Sequence, residues 1–417
     1  MLALAPSEQT LPTIGAEDLS YLQFSSGSTR FPMGVAVTQS AGMANARAIA
    51  RNGLKVRETG DRCVSWLPLY HDMGLVGFFL TPMTCQLTVD LLPTREFARR
   101  PHVWLDLISR NRGTIAYSPS FGYELCARRP VSGDLDLSCW RIAGIGGDMI
   151  RHHILETFSE RFAAYGFDGR AFVASYGMAE ATLAISFAPL DTGIVTDTID
   201  LRKLETEGVA HPSNDPSHAL RTFVLCGVAL PEHDAQVRNA DGALMPERHV
   251  GMVYVHGPSL MRGYFGREAE TAEVLDDKGW LNTGDLGYML DGQVVITGRA
   301  KDLIIINGRN IWPQDLEWSA EHEIATLRSR DVAVFAVEEA EGERVVALVQ
   351  CRATTDEDRT RLREETTGLF RRQHGIEVDV ILVPPHTLPQ TSSGKLTRAR
   401  AKAMLLAGQF ETSRTAA

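Results

Sequence analysis

The sequence predicts an α/β protein in three parts: a large α/β part over residues 1–187, a connector with an antiparallel β unit over 188–299, and a small α+β part over 300–417. Three observations predict it. In the first part, short apolar runs end abruptly at loops of Gly, Ser and chemically active residues, the layout of strands whose carboxyl ends carry function. From Thr222 to Tyr264, apolar stretches alternate with turns, as antiparallel strands do. Beyond Pro313, helical and strand-like periodicities follow one another closely.

The totals bound the function. A chain of 417 residues has room for several cores, and 44% hydrophobic with 23% charged residues is an ordinary globular balance. The formal net charge of -10 argues against a general nucleic-acid binder, which needs clustered Lys and Arg. No run approaches the ~20 apolar residues of a membrane span, and the first residues lack a basic segment followed by an apolar core. Six cysteines without a Cys-x-x-Cys pair suggest reduced thiols and a cytoplasmic location.

The first element is Tyr21–Phe24, a strand feeding Ser25-Ser26-Gly27-Ser28-Thr29-Arg30, with a second strand at Val35–Val37. Glycine lets such a loop turn its N–H groups inward and the hydroxyls add donors, a composition suited to phosphate. It lacks the Gly-Lys-Ser/Thr ending of a Walker A loop, and an ordinary hairpin has the same appearance. A helix is expected from Gln39 to Arg57. The apolar strand from Val64 then ends at Pro68 with Tyr70-His71-Asp72 at its tip, an aromatic–imidazole–carboxylate cluster that also reads as a helix start capped by Asp72 with His71 merely packed.

Strand-like Thr114–Tyr117 follows, then Arg141–Ile145 running into Gly146-Gly147, where bare backbone would let a flat ligand lie close. Ala171–Ser175 reads as a strand stopping at Tyr176-Gly177, with Glu180 opening a helix. A ring and a carboxylate so placed suit a base and a divalent cation, although a core Tyr and a helix-start Glu would look the same. Residues 188–222 look loop-rich, with Pro189, Pro212 and Pro216. Asp291-Gly292 between apolar runs signals a hairpin. Just before it stands Asp285, suited to a ribose diol, and just after it Arg299, suited to phosphate or ribose oxygen. The polar stretch Gly298–Lys301 is a natural domain boundary. A helix Gln314–Leu327, strands Asp331–Val337 and Arg344–Val349, a helix Asp356–His374 and a strand Val378–Val383 complete the small part. It ends in Ser392-Ser393-Gly394-Lys395, which presents a lysine on a loop before a last helix.

Ser26-Gly27-Ser28-Thr29, Tyr70-His71-Asp72, Tyr176-Gly177-Met178-Ala179-Glu180, Thr283-Gly284-Asp285, Gly298-Arg299 and Ser393-Gly394-Lys395 stand in one order along the chain. In that order and approximate spacing the chain resembles the adenylate-forming enzymes over almost its whole length. The segments Ser65–Leu75, Ser175–Thr182 and Gly308–Asn310 with Pro313–Glu317 resemble the fatty acyl-AMP ligase branch. Coenzyme A ligases usually carry Thr where Ala179 stands. Residues 188–222 fall where the branch carries extra sequence that disfavours coenzyme A. Arg30 and Met33 depart from the usual Gly and Lys of the phosphate loop, and Arg30 offers the cation that Met33 does not.

The resemblance implies the adenylate-forming fold, with a large N-terminal α/β domain, a β subdomain and a small mobile C-terminal α+β domain. It implies that a fatty acid is activated by ATP and Mg2+ to acyl-AMP and passed to an acyl carrier protein or polyketide synthase. Residues 25–30 would hold the β and γ phosphates and Glu180 the Mg2+. Tyr176, Gly177 and Gly146-Gly147 would flank the adenine, Asp285 take the ribose hydroxyls and Arg299 contact ribose or phosphate. Lys395 would bridge carboxylate and α-phosphate, His71 line the passage to the acyl pocket, and Lys301 act as the hinge. Family members carry a long segment ahead of the phosphate loop, so the first domain is expected to be incomplete here. A fatty acyl-CoA ligase and a truncated non-catalytic nucleotide-binding homologue are the alternatives, and the retained Glu180, Asp285, Arg299 and Lys395 favour catalysis.

Overall fold

A computed structural model describes residues 12–25, 32–131, 134–339, 342–391 and 394–410. Among these, seven strands build the central sheet, in the spatial order Val228–Ala229, Ala184–Phe187, Phe172–Gly177, Ile142–Ile145, Ile115–Ser118, Arg62–Ser65, Thr88–Leu91. From Phe172–Gly177 onward they run parallel, while Ala184–Phe187 and Val228–Ala229 add antiparallel strands at the other edge. The central parallel strands Ile115–Ser118 and Ile142–Ile145 are buried throughout, as helices covering both sides require, while the edge strand Thr88–Leu91 is partly exposed. Helices Ser120–Ala127 and His152–Ala163 contribute to an aromatic core beneath the sheet. Trp66 stacks on Phe97 at 3.9 Å, and Trp104 meets Trp140 edge-on at 5.1 Å. Tyr123 donates its hydroxyl to the Gly144 carbonyl at 2.8 Å, fixing the strand that ends at the glycine pair.

Strands Leu19–Phe24 and Gly34–Thr38 form the expected hairpin. Its third strand, Gly263–Tyr264, comes from the stretch assigned by sequence to the separate β unit; it pairs instead with Val35 and Ala36. The remaining β unit orders Asp234–Arg238, Gly251–His256, Leu281–Leu290 and Gln293–Arg299. Asp291 and Gly292 turn its last hairpin with φ of +49° and +71°, the left-handed pair that a tight two-residue turn needs.

Two sequence expectations in the first part need correction. The helix from Gln39 ends at Ala48 and widens into a π-helical turn, Ile49–Gly53, in which Leu54 N–H bonds Ile49 O at 2.8 Å. Lys55 at φ +43° then turns the chain away, so helix never reaches Arg57. Glu180 opens no helix. A single tight turn, Ala179–Ala181, ends at Thr182 with φ +66°, because Met261 N–H takes the Glu180 carbonyl and the chain doubles back as Ala184–Phe187. Residues 188–222 are loop-rich, as expected, but they also hold ordered elements: strands Thr196–Asp200 and Leu220–Val224 pair around a helix, Leu201–Glu207, capped by Asp200. Ile199, Leu204 and Phe223 bury against Tyr288, Val295 and Trp312, so the prolines fall in turns around a genuine core.

The carboxyl-terminal part follows the sequence reading except that its first helix, expected from Gln314 to Leu327, stops at Glu323, where Ile324 turns extended at φ -94° and ψ +103°. Val332–Glu339, Gly342–Gln350 and Asp379–Val383 form its sheet, backed by helices Pro313–Glu323 and Asp356–His374, with Arg398–Leu406 last. The long helix begins at a Thr355 cap with three acidic residues in its first turn and ends at Gly375, φ +63°, with basic residues in its last.

Candidate active site

The carboxyl ends of the parallel strands open into one cavity of about 610 Å3, roofed by the carboxyl-terminal part. Its wall includes Ser25, His71, Gly146, Gly147, Tyr176, Gly177, Glu180, Asp285, Arg299, Lys301 and Lys395. Ser26, Gly27, Ser28, Thr29 and Arg30 lie outside the described residues. Every described residue singled out from the sequence therefore meets the others at one site.

Two neighbouring strands supply the glycine pair and the aromatic residue. Gly147 sits at φ +77°, and a Cβ there would meet Met73 Sδ at 2.5 Å; one on Gly146 would meet Ser175 O at 2.7 Å. Any side chain would displace this floor, so the backbone stays bare for a flat ligand. Beside it, Tyr176 donates its hydroxyl to Asp285 Oδ2 at 2.7 Å. Asp285 and Arg299 are direct partners across the hairpin, and Arg299 Nε stands 3.3 Å from Asp285 Oδ1. The ring, carboxylate and guanidinium thus form one braced unit. Burial, with the Asp285 charge beside it, pushes the Tyr176 phenol well above its usual value, so it stays a neutral donor.

Glu180 is half-buried in the cavity wall, and Tyr264 donates its hydroxyl to Glu180 Oε1 at 2.9 Å. Burial raises the Glu180 pKa, Tyr264 and Arg299 counter it, and Asp72 raises it further. A nearby dication would reverse that balance. Among the described residues no group of three or more His, Cys, Asp and Glu could hold a metal alone. One half-buried carboxylate with a spare oxygen fits Mg2+, which binds through one or two carboxylates together with substrate phosphates and water. The base of the phosphate loop is closed by Ser25 N–H on Met33 O at 2.9 Å and Met33 N–H on Ser25 Oγ at 3.3 Å.

At the tip after Arg62–Ser65, both sequence readings of the His71 segment hold together. Asp72 Oδ1 caps the helical turn by accepting from Met73 N–H at 2.8 Å, and the same oxygen lies 2.6 Å from His71 Nδ1. Gln23 Nε2 donates to Tyr70 O at 2.9 Å, tying this tip to the phosphate hairpin. Burial pushes the Asp72 carboxyl up, but His71, the Lys395 charge and the Met73 N–H outweigh it and hold it below the usual range. Lys395 follows Gly394 at φ +81°, and its loop closes by Thr391 N–H on Lys395 O at 2.8 Å. Lys301 is exposed at the cavity mouth, in the turn Ala300–Asp302 that joins the two parts.

Two supporting residues escaped the sequence reading. Tyr264 is one, although a Tyr closing the run Met261-Arg262-Gly263 hints at a constrained strand. Arg398 is the other: it bonds both oxygens of Glu317, at 2.7 and 2.6 Å, and Asp302 Oδ2 at 2.8 Å.

Comparison with known proteins places this geometry in context. Residues 3–265 match the family described as AMP-binding enzyme. The chain is 57% identical over 403 residues to a putative acyl-CoA synthetase of Caulobacter vibrioides, covering 96% of this chain and 70% of that protein. It is 32% identical over 423 residues to the medium-chain-fatty-acid–acyl-carrier-protein ligase JamA of Moorena producens, covering 96% of this chain and 70% of that one. A solved structure from studies of fatty acyl-adenylate ligases from E. coli and L. pneumophila superposes with a TM-score of 0.91 at 47% identity, covering 98% of this chain and 73% of the other.

Proposed function

The chain belongs to the AMP-binding enzyme family, the adenylate-forming enzymes, and from that premise we propose that it activates a fatty acid with ATP to its acyl-adenylate and pyrophosphate. The acyl group then passes to the phosphopantetheine thiol of an acyl carrier protein or polyketide synthase, as the name of the JamA relative suggests. The observation that carries the reading is the meeting of Tyr176, Asp285, Arg299, Glu180, His71 and Lys395 around one cavity.

In the first half-reaction a fatty acid carboxylate oxygen attacks the α-phosphorus. A P–O bond forms, the bond from α-phosphorus to the bridging oxygen breaks, and pyrophosphate leaves with the electron pair. An anion must approach a polyanion, so fixed cations and donors have to offset the repulsion. Lys395 bridges the incoming carboxylate and an α-phosphate oxygen. Arg299 takes a ribose or phosphate oxygen while Asp285 accepts from the ribose hydroxyls. The Tyr176 hydroxyl bond to Asp285 fixes the ring beside the adenine and the carboxylate beneath the sugar, so little orientation is left to be lost on binding. Glu180 would hold Mg2+, and the ion when bound would supply neutralisation of negative charge on the phosphates. His71, oriented by Asp72, faces the passage between nucleotide and acyl chain.

In the second half-reaction the thiolate sulfur attacks the acyl carbonyl carbon, a C–S bond forms, and AMP leaves. Lys395 has no task there, and the turn at Lys301 lets its domain swing away. The proposed compartment is the cytoplasm. Among the described residues no helix is long and apolar enough to cross a membrane, and all six cysteines are free.

Coenzyme A as acceptor is the second reading, favoured by the name of the Caulobacter relative. Mass spectrometry of the purified chain with MgATP and a panel of fatty acids tests both. Acyl-AMP that accumulates, ignores coenzyme A and is consumed by a holo carrier protein supports the first. Consumption by coenzyme A supports the second, and absence of acyl-AMP with every acid refutes both.

A further inference from the structure

The cavity has an apolar arm that the chemistry above leaves unused, lined by Ile49, Leu54, Phe78, Leu183 and Phe187 with Tyr117 alongside. Three rings form a continuous surface there: Phe78 and Tyr117 have centroids 6.1 Å apart, and Tyr117 and Phe187 6.5 Å in an edge-on contact. Their position in the sheet sets depth. Ser186 pairs with Tyr176 at the carboxyl edge, and Phe187 pairs with Ser175, one residue further from the nucleotide residues.

What lies behind the Phe187 ring is backbone. A Cβ built on Gly53 would fall 2.8 Å from Phe187 Cδ2 and Cε2 and 2.9 Å from Cζ, closer than side chains tolerate. Gly53 ends the π-helical turn Ile49–Gly53, and the wide turn brings its bare backbone against the ring face. The ring therefore has no room to move toward Gly53. A methyl group at residue 53 has no room behind the ring, and relief lies toward the cavity. Close packing makes such a displacement unavoidable, because interiors lack spare volume.

We propose that Phe187, seated on Gly53, is the end wall of the acyl arm and sets the longest fatty acid accepted. The inference rests on the fatty-acid reading above and makes this pair its specificity determinant. Chain length is discriminated at such a wall by steric refusal, which is sharper than the modest gain from each buried methylene.

The test measures acyl-AMP formation by mass spectrometry against saturated acids of increasing length, for the full chain and its variants. Phe187→Ala is expected to move the optimum toward longer acids by roughly four carbons, the length that refills the space of the lost ring. Gly53→Ala, which drives the ring inward, is expected to move it toward shorter acids. Unchanged optima in folded Phe187→Ala and Gly53→Ala overturn the wall. Where either fails to fold, Phe187→Leu keeps most of the packing, and an unshifted optimum in it counts equally against the proposal. If the wild-type chain adenylates no acid, the activity reading fails by itself. The wall is then judged by displacement of a fluorescent fatty acid without ATP, where equal affinity of wild type and Phe187→Ala for the longest acids overturns it, and tighter binding by Phe187→Ala sustains it.

Discussion

Arg398 lies three positions beyond Lys395, and its contacts make it the anchor of the lysine loop. Its guanidinium spans Glu317 on helix Pro313–Glu323, through bonds of 2.7 and 2.6 Å, and Asp302 beside the Lys301 turn, at 2.8 Å. Burial works against the charge, but the two carboxylates outweigh it and push the Arg398 pKa still higher, so the cation persists throughout. Arg398→Ala leaves Glu317, whose side chain is 4% exposed, as a buried carboxylate with Val334 N–H as a remaining donor at 3.0 Å. Breaking a buried pair from one side costs about 3–5 kcal/mol, because the desolvated partner charge stays behind. The expected outcome is a stability loss of that size in denaturant unfolding. Acyl-AMP formation should fall by roughly a hundredfold as the Lys395 loop loses its tether, while nucleotide binding to the strand-end residues persists. A loss below about 1 kcal/mol with adenylation intact would show that Arg398 is a surface charge in effect, and the anchoring argument would fail.

Further outcomes follow from the same geometry. Lys395→Ala should reduce adenylation by roughly two to three orders of magnitude while ATP binding, followed by calorimetry, changes little; equal activity would remove its assigned role. Tyr264→Phe deletes the donor to Glu180 Oε1, a charge-assisted bond of about 1.5–3 kcal/mol, and should raise the Mg2+ concentration for half-maximal adenylation by roughly tenfold or more. Glu321, enclosed against Arg151 at 3.0 Å, is raised by burial to about 7 from its usual 4.5. Its folded pKa exceeds its unfolded one, so the folded state retains a proton the unfolded state releases, and stability drains as pH rises from about 4.5 to about 7. Thermal melts of Glu321→Gln should lack that decline, and identical pH slopes in wild type and variant would contradict it.

Much of this architecture was legible in local pattern. The helix Asp356–His374 was read at its true ends because Thr355 and Gly375 mark them, and the hairpin at Asp291-Gly292 because only such residues favour two left-handed positions in a row. Several of the candidate site residues, Gly146-Gly147, Tyr176-Gly177 and Arg299, stand at or just beyond strand ends that are visible locally, whereas Asp285 lies within Leu281–Leu290 and Lys395 on a loop before the last helix. What escaped was decided by distant partners. Glu180 looked like a helix start, yet Met261 takes its carbonyl and Tyr264 its side chain, both about eighty positions away in sequence. Residues 188–222 read as loop-rich because their prolines are visible locally, but the core they also form is not, since Tyr288, Val295 and Trp312, which bury Ile199 and Phe223, lie far along the chain.

The contacts between the carboxyl-terminal part and the rest explain how one chain can serve two half-reactions. They are largely ionic: Arg151 with Glu321 at 3.0 Å, Arg309 with Glu205 at 2.7 Å, Arg221 with Asp315, and Arg330 over the Phe121 ring at 4.0 Å. The apolar core of the small domain is its own, built around Leu316, Val334, Ala347 and Phe370. Parting the two surfaces therefore exposes mainly charged groups that water receives well, while Trp312, buried with Tyr288 and Val295, adds an apolar contact at roughly 25 cal/mol per Å2. Such an interface holds Lys395 at the cavity with defined geometry and still releases it at modest cost. Asp285 and Arg299, by contrast, sit on a hairpin embedded in the β unit, and that is where residues needed to keep the adenylate in place should be.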